Sequence, residues 1–292
     1  MNVDLVSGKQ IRRPPANLTG QREALIFLHI PKTAGTTLNR ILEWQYNPLD
    51  IFTVDPYRIR ATVQRFKTFP ARRRRRYRLV RGHLHYGIHE FLPQGATYIT
   101  MLREPVARLL SSYLFILRRP LHPLHRKLKN ENLGVKDLIT LTPHSQNLQC
   151  RFIAGIGKTG ACDRSTLEKA KEHLSQSFRV VGLCERFHES LLLMAAKFGW
   201  RLTYYENRKV TRRRSTIEAD AVDFIREHNS FDMELYEFAK TLFEEDLCEH
   251  DGAIRETRVA MDSLAKPSKL ESSLRSGIGM TRFLVSKIAS AL

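Results

Sequence analysis

Short apolar segments alternate along this chain with segments whose apolar residues recur every three or four positions. The short segments are residues 24–30, 77–82, 96–102 and 178–184. Apolar runs of this length are typical of strands buried on both faces, and the longer spacing is typical of amphipathic helices. The alternation therefore predicts an α/β fold, a parallel β-sheet flanked by helices with right-handed crossovers.

The pattern also predicts how the chain is organised. Residues 1–20 are polar without a period and are expected to form a loose arm, and residues 21–250 are expected to form one α/β domain. Residues 251–292 are expected to form a helical tail. Within the domain, residues 47–70 are expected to be irregular, with a short helix over residues 57–66. The remaining expectations are helices within 119–150, at 166–174 beginning at Ser165, at 185–198, 217–228 and 233–248, and a last strand at 201–205.

A turn of small and hydroxyl-bearing residues follows the first strand and leads into a helix. Pro31 ends the strand because it has no N–H group to donate. The free N–H groups and positive dipole end of the helix then point at one spot, where Lys32 adds a full charge. Gly35 lets the backbone approach a ligand closely. The sequence therefore predicts a loop that binds a phosphate or sulfate group, made of Pro31, Lys32, Thr33, Ala34, Gly35, Thr36 and Thr37.

A second candidate anion site follows the third strand segment, residues 96–102. Arg103 comes directly after this segment, and Pro105 suits the first turn of the helix that follows. Ser111 lies about two turns into that helix. A guanidinium group and a hydroxyl near a helix start would suit a phosphomonoester, and the alternative is a helix entry with a surface ion pair.

Three histidines come within seven residues, just after the second strand segment, residues 77–82. His83 and His85 would face the same side of an extended segment. A metal site is not expected, because no carboxylate completes a known ligand set. Ligand sites of parallel sheets gather at the ends of their strands, so a histidine here is a candidate for chemistry.

Charge and composition add four observations to this picture. The 292 residues include 48 Lys and Arg against 30 Asp and Glu, a net charge of +18 that indicates acidic partners. Residues 72–76 are five consecutive arginines. They would form either a solvated surface segment or a surface that attracts an anionic acceptor, and binding of nucleic acid is not expected. Four dispersed cysteines and the absence of an apolar leader or spanning segment predict a cytoplasmic protein. The apolar, cationic residues 280–292 would be a docked helix or a helix that touches a membrane surface.

Four segments together resemble the sulfotransferases that use 3′-phosphoadenosine 5′-phosphosulfate, and most closely their carbohydrate-sulfotransferase-like group with its bacterial relatives. They are HIPKTAGTT at residues 29–37, GHLHYG at 82–87, LREPVARLLSSY at 102–113 and VGLCERFHES at 181–190. The loop is not a Walker A sequence, because its lysine precedes its only glycine. Glu104 stands where this group usually has aspartate.

The resemblance implies sulfuryl transfer to an acceptor hydroxyl, with a carbohydrate or glycolipid as the expected acceptor and no metal. It implies that Lys32 and the loop bind the transferred group, that Arg103 and Ser111 bind the 3′-phosphate, and that His83 is the catalytic base, with His85 as second choice. Two alternatives are a nucleotide- or polyanion-binding protein without catalysis and an unusual P-loop kinase, which would respond to ATP and magnesium. The acceptor and the oligomeric state are left open.

Overall fold

The computed structural model of the chain describes residues 23–157, 160–202, 219–263 and 269–291. Strands in these ranges form one sheet in the order β2-β3-β1-β4-β5, and every neighbouring pair is parallel. The predicted parallel α/β fold is confirmed. The strands are β1 (Ala24–Leu28), β2 (Ile51–Thr53), β3 (Leu79–Gly82), β4 (Ala96–Leu102) and β5 (Phe178–Leu183).

Helices follow the strands and account for most of the rest of the described chain. The helices up to β5 are α1 (Gly35–Gln45), α2 (Ile59–Thr68), α3 (Ala71–Arg76), α4 (Pro105–Leu117), α5 (His125–Asn130), α6 (Val135–Leu141), α7 (Leu148–Ala154) and α8 (Arg164–Ser177). Those after β5 are α9 (Phe187–Phe198), α10 (Ala219–His228), α11 (Ser230–Glu249), α12 (Asp251–Asp262) and α13 (Lys269–Ala291). The last two confirm that the C-terminal part is helical. No helix in the described ranges is long and apolar enough to cross a membrane.

The core lies on both faces of the sheet. All five residues of the central strand β1 are buried, as expected for a parallel strand covered by helices on both sides. One buried position in this sheet is charged. Arg81 in β3 forms an ion pair with Glu43 in α1 at 2.9 Å, and both side chains are almost fully buried. This pair fixes α1 against the sheet.

Helix α13 covers the edge strand β2. The Ser290 hydroxyl accepts a hydrogen bond from the Thr53 N–H group at 3.1 Å, and its oxygen lies 2.7 Å from the Ser286 carbonyl and 3.2 Å from the Ile51 carbonyl, which share its one proton. A serine side chain thus occupies hydrogen-bonding groups that an edge strand would otherwise leave open.

Three expectations from the sequence need correction or fall outside the structure. Residues 47–70 include a strand that was not expected, because residues 51–53 form β2. A strand of three residues is too short to show an alternation of apolar and polar positions. Helix α8 is capped by Asp163 rather than starting at Ser165, because the Asp163 carboxylate accepts the Thr166 N–H at 2.9 Å. Residues 201 and 202 are not in a strand, while 203–205 and the arm at 1–20 lie outside the described ranges.

Candidate active site

Three strands end side by side at the carboxyl edge of the sheet. Leu28 in β1 pairs with Gly82 in β3 and with Thr100 in β4. The residues that follow these strands therefore emerge next to one another: His29 onward from β1, His83 onward from β3 and Arg103 onward from β4. This register brings together the three segments that the sequence singled out.

The segment at residues 31–37, called the lysine loop below, contains two residues in a left-handed backbone conformation. Lys32 and Ala34 have positive φ values of 72° and 58°, and Thr33 between them does not. Alternating signs of φ turn successive N–H groups toward one side, as in the concave nests that bind anions. At the start of α1, the N–H groups of Gly35 and Thr36 have no backbone acceptor within the described residues.

Two loop residues serve the loop itself. The Thr33 hydroxyl is buried and donates a hydrogen bond to the Ile30 carbonyl at 2.9 Å, so its proton closes the turn. Gly35 packs against the ring of His29, and a Cβ at this position would lie 1.9 Å from His29 Nε2. The His29 ring therefore leaves no room for a Cβ at position 35, and this contact is a reason for glycine there that is independent of any ligand.

The Lys32 ammonium group lies 4.1 Å from the centre of the Phe115 ring in α4. The guanidinium group of Arg119 lies 5.1 Å from the same ring, so Phe115 holds two cations near the loop. Ser111 lies one helical turn before Phe115, on the same face of α4.

Arg103 meets the lysine loop directly. Its Nη1 donates a hydrogen bond to the Lys32 carbonyl at 3.2 Å, and its Nε lies 3.9 Å from Glu185 Oε1. Gln149 fixes its backbone from below: Gln149 Oε1 accepts the Arg103 N–H at 2.9 Å, and Gln149 Nε2 donates to the Arg103 carbonyl at 2.8 Å. The next residue, Glu104, caps α4 by accepting the N–H groups of residues 106 and 107, so glutamate performs the capping role open to aspartate.

The hydrogen bond of His83 determines which of its nitrogens is available. Its Nδ1 lies 2.7 Å from the His29 carbonyl oxygen. A carbonyl oxygen only accepts, so Nδ1 carries the proton and the neutral ring presents an unprotonated Nε2. Burial lowers the pKa of His83 below its ordinary value of 6.5, against the opposing effect of this hydrogen bond. His83 is therefore neutral at pH 7 and can accept a proton at Nε2.

His85 has different neighbours from His83. The Leu84 N–H donates to the Gly82 carbonyl at 2.9 Å, so the chain turns at residues 82–84 and is not the extended segment on which the same-side expectation depends. The His85 ring packs against Phe152 of α7 with centroids 4.5 Å apart, and it lines a cleft of about 560 Å³ between α2 and the chain that follows β3. Other lining residues are Arg60, Gln64, Lys67, Tyr86, Glu90 and Phe91. The cleft is close to the strand ends because both of its walls follow strands β2 and β3.

One group of side chains in the described residues could hold a metal ion. It consists of Asp246, Glu249 and His250 at the end of α11, with ligand atoms within 4.8 Å of one another. The Lys197 ammonium group lies 2.7 Å from the Asp246 carboxylate and already balances its charge. None of these residues belongs to the sequence-predicted site.

Several residues that shape the site carried no usable signal in the sequence. His29, Phe115 and Gln149 each contact a predicted residue through the folded structure only. His29 lies at the start of the motif at residues 29–37, Gln149 lies in the region 119–150 where only helices are expected, and Phe115 lies just beyond the motif at residues 102–113. These three contacts join segments that are distant in the sequence, so they could be predicted only if the order of the strands in the sheet were known.

The sheet order and the lysine loop at the end of its central strand define the class of P-loop-like α/β proteins. A family model of the galactose-3-O-sulfotransferases matches residues 6–266. The chain belongs to this family and is a sulfotransferase, an enzyme of sulfuryl transfer. Among solved structures, it is similar to a sulfotransferase from Alicyclobacillus acidocaldarius, at 16% identity and a TM-score of 0.43, covering 79% of this chain and 99% of that chain. No curated protein sequence matches it.

Proposed function

We propose that the chain transfers the sulfuryl group of 3′-phosphoadenosine 5′-phosphosulfate to a hydroxyl group of a carbohydrate or glycoconjugate. The observation that carries this proposal is the contact between Arg103 and the Lys32 carbonyl at 3.2 Å. Two cationic side chains from adjacent strand ends suit a nucleotide that bears anionic groups at both its 5′ and 3′ positions.

The donor would be held at two places. The backbone of the lysine loop, with Lys32, Thr36 and Thr37, would bind the 5′-phosphosulfate, and Arg103 with Ser111 would bind the 3′-phosphate. Two observations support this fit: the alternating φ values of the loop, and the N–H groups of Gly35 and Thr36, which have no backbone acceptor among the residues that the structure describes. The donor supplies the sulfuryl group, and the proposal includes no metal.

During transfer, the S–O bond to the leaving phosphate breaks while a new S–O bond forms to the acceptor oxygen. Negative charge grows on the leaving oxygen, and the Lys32 ammonium group would neutralise it. His83 Nε2 would take the acceptor's proton, because that nitrogen is unprotonated in the neutral ring. His85 remains the second candidate for the base.

The cleft beside His85 is proposed as the acceptor site. Lys67 and Arg60 on its α2 wall would suit an acidic sugar, and the Lys67 ammonium group lies 4.5 Å from the centre of the Phe91 ring on the other wall. The arginines of α3 continue the positive charge: Arg72, Arg75 and Arg76 are exposed. These features support an anionic carbohydrate chain as the acceptor.

In this proposal the chain divides into a catalytic domain at residues 21–250 and a helical tail at residues 251–292. A cytoplasmic location is proposed as well, supported by four free cysteines.

Thermal denaturation with nucleotides tests the donor assignment. 3′-Phosphoadenosine 5′-phosphate should raise the melting temperature more than AMP does, because it alone carries the 3′-phosphate. Arg103→Met should bring the two shifts together. A larger shift with ATP and magnesium would instead favour a kinase. Incubation with radiolabelled donor and carbohydrate extracts, with and without acidic sugars, then tests the acceptor; label found only on neutral lipid or peptide would contradict the proposal.

A further inference from the structure

The C-terminal helix α13 packs against the body of the protein with its small and polar residues. Ser286 and Ser290 are buried one turn apart, and Gly279 is buried two turns before Ser286 on the same face. A Cβ at Gly279 would lie 2.5 Å from Arg40 Nη1, so this face also passes close over α1. The helix contacts α1, β2 and the turn at residues 48–50.

The opposite side of the same helix is apolar and exposed. Met280, Leu284 and Ile288 follow one another at intervals of four residues and are 51%, 51% and 59% exposed. Ile278 and Val285 widen this stripe and are also exposed. We call these five residues the outer face of α13. A surface helix in water normally has the reverse orientation, with its apolar stripe toward the core, so the outer face is expected to be covered by something else.

The neighbourhood of the outer face adds further apolar surface and positive charge. Trp44 in α1 and Leu49 in the following turn are large, exposed apolar residues of the elements that α13 contacts. The guanidinium group of Arg282 lies 5.4 Å from the Trp44 ring, and Arg40 lies beside Gly279. Lys287 forms an ion pair with Asp55 at 3.6 Å, so the excess positive charge beside the outer face comes from Arg282 and Arg40.

We propose that the outer face of α13 binds the surface of a membrane that contains anionic lipids. An apolar stripe beside tryptophan and cationic side chains is the pattern of a helix that lies in the plane of the lipid headgroups. Arginine and lysine near such a surface gain attraction to anionic headgroups. A second copy of the chain is a poorer occupant, because association would bring together two molecules of net charge +18.

Vesicle co-sedimentation with the full chain tests this directly. The chain should sediment with vesicles of phosphatidylcholine mixed with phosphatidylglycerol, and much less with phosphatidylcholine alone. Added salt should weaken the binding, because it screens attraction between exposed charges. Absence of sedimentation with the anionic vesicles at low salt would overturn the proposal.

Two variants separate the outer face from general hydrophobicity. Leu284→Glu should lower the partition coefficient of the chain between anionic vesicles and water by about tenfold or more. It removes one leucine side chain that the membrane would bury, and it adds a negative charge that the anionic lipids repel. Leu121→Glu makes the same change at a leucine that is 99% exposed between α4 and α5, and should leave binding unchanged. Equal effects of the two variants would overturn the proposal.

Tryptophan fluorescence of the unaltered chain gives a measurement that does not depend on a variant folding. Trp44 is exposed beside α13, whereas Trp200 is buried. Anionic vesicles should shift the emission to shorter wavelength, and Trp44→Phe should abolish the shift. If light scattering instead finds a dimer without vesicles that Leu284→Glu dissociates, the outer face is a contact between copies and the lipid proposal is wrong.

Discussion

The side-chain amide of Gln149 makes two hydrogen bonds to the backbone of Arg103, one to its N–H group and one to its carbonyl. Gln149 is itself fixed, because Asp232 accepts the N–H groups of Gln149 and Cys150 at 3.1 and 2.8 Å. Asp232 is fully buried and lies 4.0 Å from Arg108. The position of Arg103 therefore depends on the start of α7 and on α11, distant in the sequence.

Gln149→Ala should raise the Michaelis constant for the donor about tenfold while changing the turnover number less. Arg103 would bind the 3′-phosphate equally in the ground and transition states, so displacing it weakens binding first. Steady-state kinetics with varied donor measure this. Gln176→Ala, at an exposed glutamine of α8, is the matched control. An unchanged Michaelis constant would show that donor binding does not depend on Gln149.

Lys32→Ala should lower the turnover number by about 10²–10³-fold, because the ammonium group is assigned to the charge that grows in the transition state. Single-turnover assays with radiolabelled donor measure the step directly. Lys129→Ala, at an exposed lysine of α5, should leave the rate unchanged. Full activity of the Lys32 variant would refute the assignment.

The acid limb of the pH profile of kcat/KM should have its midpoint below pH 6.5. Only the neutral ring of His83 can accept a proton, and burial lowers the pKa of His83 from 6.5. Activity should therefore persist below pH 6.5 and be lost as the pH falls through the lowered pKa. His83→Gln should lower the rate by about 10²–10⁴-fold and remove this limb. An acid limb with its midpoint above pH 6.5 would contradict His83 as the base. An acid limb that His85→Gln removes, and His83→Gln does not, would assign the base to His85.

Gly35→Ala should disrupt the lysine loop, because the added methyl group would lie 1.9 Å from His29 Nε2. Loss of donor binding and a lower melting temperature are expected. Gly252→Ala is the matched control in α12, where no heavy atom lies within 4 Å of the added carbon; it should stabilise the helix by up to about 1 kcal/mol. The double variant Gly35→Ala with His29→Ala should recover part of the lost melting temperature. If it recovers none, the contact with His29 does not cause the destabilisation.

The buried pair of Arg81 and Glu43 should show strong coupling in a double-mutant cycle. Arg81→Met alone leaves Glu43 buried without its partner and should cost about 3–5 kcal/mol of the free energy of unfolding. Arg81→Met with Glu43→Leu should recover much of that loss, because no buried charge is left unpaired. Denaturant unfolding measures both. Additive effects would mean that the ion pair does not fix α1 to the sheet.

The sequence predicted the sheet and its order of elements well, because long apolar runs such as residues 96–102 carry a strong signal. It also singled out the three segments that meet at the carboxyl edge. It could not identify Gln149 or His29 as their supports, since those contacts depend on which strands are neighbours. It missed β2 because three residues show no period, and it placed the start of α8 at Ser165 because serine and aspartate are equally good caps.

The hydroxyl group that closes the sheet at β2 is separated from Thr53 by 237 positions of the chain. A contact between such distant positions closes a very long loop, and contacts of this kind slow folding. Until α13 arrives, β2 is an open template on which strands of other molecules can pair. Refolding yield should therefore fall as protein concentration rises, and an added peptide that spans α13 should restore it.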